Sequence, residues 1–195
     1  MGAIFQSLGR TLSAGVVILI VIMLIAGTFN KLGDMNYWRF FMRWLHVLSG
    51  VMWIGLLWYL NFVQIPSMPK IPDEQKPAIG KVIAPAVLFW FRWGAAATLL
   101  TGLILASMYP GYLVSALSLQ APNRAIGIGM WLGLIMAFNV WFIIWPNQKK
   151  ALGIVTVPPE QKTKAARVAM LTSRFNTMLS IPMLYCMVAQ QNGGL

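Results

Sequence analysis

Ala84-Pro-Ala-Val-Leu-Phe-Trp-Phe-Arg-Trp-Gly-Ala-Ala-Ala-Thr-Leu-Leu-Thr-Gly-Leu-Ile-Leu-Ala-Ser-Met108 carries a single charged residue, Arg92. At about 1.5 Å of rise per residue a helix over 84–108 exceeds the ~30 Å hydrocarbon core of a bilayer. Similar runs recur along the whole chain, at 12–29, 41–64, 125–145 and 168–189. The composition agrees: 58% hydrophobic, 10% charged, mean hydropathy +0.70. Too little polar surface exists to cover a soluble core. The sequence therefore predicts an all-α integral membrane protein, one domain over 1–195 with five transmembrane helices. The first run follows Arg10 and has the look of a signal sequence, but it is read as a retained helix.

Basic residues set the orientation. Arg10, Lys70, Lys76, Lys81, Lys149, Lys150, Lys162, Lys164 and Arg167 fall on one side of the five spans. Lys31, Arg39, Arg43 and Arg124 fall on the other. The positive-inside rule then makes the amino terminus cytoplasmic and the carboxyl terminus periplasmic, in a multi-pass protein of the bacterial inner membrane. A net charge of +11 might suggest nucleic acid. The cations sit in short loops beside apolar runs, however, so orientation and anionic lipid account for them and no nucleic-acid partner is expected. Cys186 is the single cysteine, which excludes an intrachain disulfide and covalent c-type haem. Pro66, Pro69, Pro72, Pro77 and Pro85 predict an extended strap between the second and third spans. Residues 112–119 read as interfacial, and 160–167 as a helical entrance to the fifth span. Gly94, Thr98 and Gly102, with Gly129 and Gly133, read as small-residue faces for close helix approach.

Two polar levels stand out against this apolar background. Toward the cytoplasmic ends lie Asn61, Arg92, Asn139, Arg174 and Asn176, each roughly 7–15 Å inside its span. All four acids, Asp34, Asp73, Glu74 and Glu160, fall in connecting stretches. The intramembrane arginines must therefore find water, polar side chains, phospholipid, an anion or another protein. An anion, lipid or partner clamp and a plain interhelical hydrogen-bonded knot both fit. At the outer level stands the one histidine, His46, with Met183, Cys186, Met187 and Met130 at similar depth. His46 with Met183 or Met187 suits a b-type haem, and the sulfurs suit Cu(I); ordinary packing and an interhelical hydrogen bond explain the same residues. From His46 to Asn61 is on the order of 22 Å of helix, so the two levels are separate.

Three stretches resemble the membrane domain of the bacterial urate hydroxylase (PuuD-like) family. They are Arg43-Trp-Leu-His-Val-Leu-Ser-Gly-Val-Met-Trp-Ile-Gly55, Phe138-Asn-Val-Trp-Phe-Ile-Ile-Trp-Pro-Asn-Gln148 and Ser173-Arg-Phe-Asn-Thr-Met-Leu-Ser-Ile-Pro-Met183. The likeness covers roughly residues 38–190. An early-helix histidine followed by Trp-Ile-Gly also resembles HemJ-type haem-related membrane proteins. The resemblance implies a membrane redox setting, with His46, Asn139, Arg174 and Asn176 at family-type positions. Two features depart from it: the sequence ends at Leu195 without a cytochrome c domain, and Gln190 follows the last span where the family tends to place histidine. These departures, with the missing intramembrane acids, give a leading expectation of a non-catalytic accessory subunit. It would sit in a larger inner-membrane electron-transfer complex, against partner subunits and lipid. A urate-hydroxylase-like oxidoreductase or haem-binding electron carrier is the alternative, and a small transporter comes third.

Overall fold

The computed structural model describes residues 2–194. It is helical, and no strand occurs among the described residues. The helices are α1 (Gly2–Phe5), α2 (Leu8–Ile25), α3 (Met35–Lys70), α4 (Lys76–Ser107), α5 (Tyr112–Leu117), α6 (Arg124–Ala151) and α7 (Pro159–Asn192). Four of them, α2, α3, α4 and α6, are long and apolar enough to cross a membrane. The chain divides into two compact units, 1–41 and 42–195, with the boundary inside α3.

In the first unit, α2 buries none of its residues; its leucines, isoleucines and valines point outward around the whole helix. Such a helix is stable where the surroundings are as apolar as its surface. Gly27, in the left-handed region at φ 63°, ends it two residues past Ile25. Asp34 then caps α3, its carboxylate accepting the Asn36 N–H at 2.8 Å.

In the second unit, the core gathers Trp53 and Leu57 of α3, Phe91 of α4, and Met136, Val140 and Ile144 of α6, all nearly or fully buried. The outward positions on the same helices are larger and greasier still, as Phe62, Trp90, Trp93, Phe138 and Phe142 show. Small residues set the helix spacing. A Cβ on Gly94 would lie 3.3 Å from the Trp53 backbone nitrogen, and one on Gly102 2.8 Å from the His46 ring. Gly129 likewise meets Cys186 of α7 at 3.1 Å, whereas Gly133 faces open space and plays no such part.

α7, expected from the sequence to hold the fifth span, is not among the four long, apolar helices. Its buried side is Ala165, Ala169, Ser173, Asn176, Ser180, Met183, Cys186 and Ala189, while Leu171, Phe175, Met178, Ile181 and Val188 face out. The small and polar residues belong to the inner stripe, which lowers the helix's average below that of the four apolar ones. Its entrance does begin at Pro159, as 160–167 suggested, and the helix runs unbroken through Pro182.

The proline strap does not form. Helix α3 continues through Pro66 and Pro69 to Lys70, and α4 starts at Lys76, leaving only 71–75 as connection. Lys76 Nζ lies 2.6 Å from Asp73 Oδ1 across that turn. The hydrogen bond, and then the charge, of Lys76 hold the Asp73 carboxyl below the usual carboxylate range. The prolines leave their mark on the helices instead. Widened π-turns span Tyr59–Gln64, Ile79–Ile83 and Asn139–Ile144, and each is followed two residues later by Pro66, Pro85 or Pro146. Proline lacks an N–H and its ring collides with the carbonyl four residues back. A local i→i+5 turn moves that carbonyl aside and keeps the helix going.

Candidate functional site

Two of the π-turns carry the polar residues of the inner level. Asn61 lies within Tyr59–Gln64 of α3, and Asn139 opens Asn139–Ile144 of α6. Both turn toward the small, polar stripe of α7. Asn61 Nδ2 donates to the Leu57 carbonyl at 2.9 Å and to Ser173 Oγ at 2.8 Å. Asn139 Nδ2 donates to Asn176 Oδ1 at 2.8 Å, and Asn176 Nδ2 donates to the Met136 carbonyl at 2.9 Å. Trp58 Nε1 donates to Ser180 Oγ at 2.9 Å, and that hydroxyl donates to the Thr177 carbonyl. At this level Ser173, Asn176 and Ser180 thus each accept a side-chain bond that ties α7 to α3 or α6, and all three are buried.

The knot joins three of the five residues expected at this level, Asn61, Asn139 and Asn176. The arginines lie elsewhere. Arg92, half-buried on α4, stacks its guanidinium carbon 3.3 Å from the Trp145 ring centroid on α6. Arg174 is exposed and makes no hydrogen bond or ion pair with the described residues. Sequence reading missed Trp58, Ser173, Ser180, Trp145 and Lys149. The signal was present in the 173, 176, 180 spacing of one helix face and in the i, i+4 pair Trp145–Lys149.

Several buried polar atoms near this level find no partner: Asn61 Oδ1, Gln64 Oε1, Gln148 Oε1 and Arg92 Nη1. Most buried polar atoms in folded proteins are paired, so these four stand out from their surroundings. A shallow pocket of about 280 Å³ lies on the loop side, lined in part by Lys76, Lys81 and Lys162.

At the outer level, His46 Nδ1 lies 2.9 Å from the Thr98 carbonyl, which can only accept; Nδ1 therefore donates and Nε2 keeps the lone pair. Gly102 supplies the space for the ring. A backbone carbonyl on one ring nitrogen is the usual way a ligating histidine is oriented, so Nε2 suits an axial haem bond. Met183 and Cys186 are buried on α7, and with Met187 they lie around Gly129 of α6. No cluster of three or more His, Cys, Asp or Glu occurs among the described residues. Gln190, near the end of α7, secures the start of α6: it accepts the Ile126 N–H at 3.1 Å and donates to the Pro122 carbonyl at 3.2 Å.

The urate oxidase N-terminal family model matches residues 113–193. That stretch, less than half of the chain, holds nearly all of α5 and the whole of α6 and α7. Over it the chain is similar to a urate-oxidase-related family. No curated protein and no solved structure matches.

Proposed function

We propose that the chain is an accessory helical subunit of a larger inner-membrane redox assembly of the urate-oxidising type. The observation that carries this reading is the fate of the polar residues. Asn61, Asn139, Asn176, Ser173 and Ser180 bond to one another or to backbone, and join helices rather than facing a reacting group. No carboxylate stands among them, and general acid–base chemistry has little to draw on there. The urate oxidase N-terminal match over 113–193 is a likeness to a urate-oxidase-related family, and the urate-oxidising part of this reading rests on it. In this reading α7 is a fifth span, its polar stripe turned inward, and the amino terminus is cytoplasmic. Mild solubilisation followed by size fractionation tests the proposal. A haem difference spectrum from a partner subunit should travel with the chain; a chain that always separates from every redox-active fraction would overturn it.

A second reading, a urate-hydroxylase-like oxidoreductase, draws on Arg174. It is a cation inside the matched stretch with no acid beside it, and it suits an anionic purine. His46 Nε2 would hold a haem in that case. Arg174→Gln should then abolish urate-dependent electron flow, and unaltered flow would remove this reading.

A further inference from the structure

Trp145 has two cations over its ring. The Arg92 guanidinium carbon lies 3.3 Å from the centroid and Lys149 Nζ 5.6 Å from it. Arg92 comes from α4, while Trp145 and Lys149 sit one turn apart on α6, so the pair of charges bridges two helices. A π face attracts a cation but does not accept the in-plane N–H bonds of a guanidinium. Arg92 Nη1 accordingly remains buried with no acceptor. Neither cation has an acid: the ion pair among the described residues is Lys76–Asp73, on the exposed turn. Two like charges gathered at one ring repel, and an anion that meets both relieves that repulsion.

We propose that Arg92 and Lys149, both gathered at the Trp145 ring, form a binding site for a phosphoryl group. A tetrahedral phosphoryl anion presents oxygens in several directions, so one oxygen can reach the accessible edge of the half-buried Arg92 guanidinium while another takes the Lys149 ammonium. The surroundings favour an amphiphile as its bearer. Trp93, edge-on to Trp141 of α6, and Phe142 are exposed on the same pair of helices, offering an apolar bed for acyl chains. Basic sites between membrane helices are where anionic lipid headgroups are held. The phosphate of an anionic phospholipid is therefore the expected occupant, and inorganic phosphate the soluble form of the same chemistry.

Thermal unfolding of the full chain in a neutral detergent tests the site. Phosphatidylglycerol, phosphatidylcholine or inorganic phosphate is added to separate samples. Phosphatidylglycerol should raise the midpoint by several degrees, and phosphatidylcholine much less. Arg92→Gln and Lys149→Gln should each weaken the phosphatidylglycerol response about fivefold or more, while Lys162→Gln in the loop-side pocket retains it. If Arg92→Gln fails to fold, Lys149→Gln decides. A response to inorganic phosphate with the same sensitivity to both substitutions would keep the site and replace the lipid by a soluble phosphoryl ligand. No response to either, or a response that both variants keep in full, would overturn the proposal. The test reads lipid or phosphate, not electron flow, so its failure leaves the accessory-subunit reading standing.

Discussion

Asn176 is fully buried and makes a bond with each end of its amide, accepting from Asn139 and donating to the Met136 carbonyl. Asn176→Ala should therefore cost about 1–3 kcal/mol of unfolding free energy in micelles, the range for orphaning buried partners. A double-mutant cycle with Asn139→Ala isolates the pair, for which about 0.5–1.5 kcal/mol of coupling is expected in a membrane bundle. Zero coupling would show that the pair joins nothing. Gly127 is equally constrained, because a Cβ there would overlap the Ala116 carbonyl of α5. Gly127→Ala should destabilise by about 1–3 kcal/mol through overpacking, measurable in the same unfolding experiment. At this scale the sequence showed which residues were costly to bury and not whom they met. The depth of Asn61, Asn139 and Asn176 was readable from position along each span. Arg92 turning to Trp145, and Arg174 turning outward, depend on helix rotation that hydropathy does not encode.

The π-turns belong to the scale of the element. Pro146 is the reason α6 widens over Asn139–Ile144, so Pro146→Ala should let that stretch relax to ordinary α-helix. Residues before the turn would then rotate by about 100° relative to those after it, the angle of one residue in an α-helix of 3.6 residues per turn. The account expects the Asn139–Asn176 coupling to fall toward zero in the Pro146→Ala background. Coupling that persists unchanged would separate the proline from the placement of Asn139. The same prolines explain the failed strap. Five prolines between two hydrophobic runs read as an extended linker, because isolated prolines break helices in water. Within long apolar helices the freed backbone groups are met by local π adjustment, and α3 and α4 run on almost to each other. α7 teaches the converse lesson. Hydropathy suggested a span over Val168–Ala189, whereas the face of small and polar residues at spacings of three and four, which carries its contacts, went unread.

For the whole molecule, apolar surface turned outward and small or polar residues turned inward read directly from composition, and helical class with them. Hydropathy and charge placement together carry the further proposal of five crossings with the amino terminus inside. Reporter fusions after Lys31, Lys76, Tyr112, Lys150 and Asn192 should alternate sides in that order, beginning outside; fusions after Lys150 and Asn192 that share a side would remove α7 as a span. What composition could not supply is the partner, because a surface adapted to lipid and one adapted to a neighbouring helix are both apolar. The proposal of an accessory subunit is most directly tested by native mass measurement of the chain released gently from its own membrane. The expected mass lies above that of the 21.7 kDa chain and includes a redox-active subunit and retained anionic phospholipid. A free monomer that nonetheless carries out urate-dependent electron transfer would contradict it.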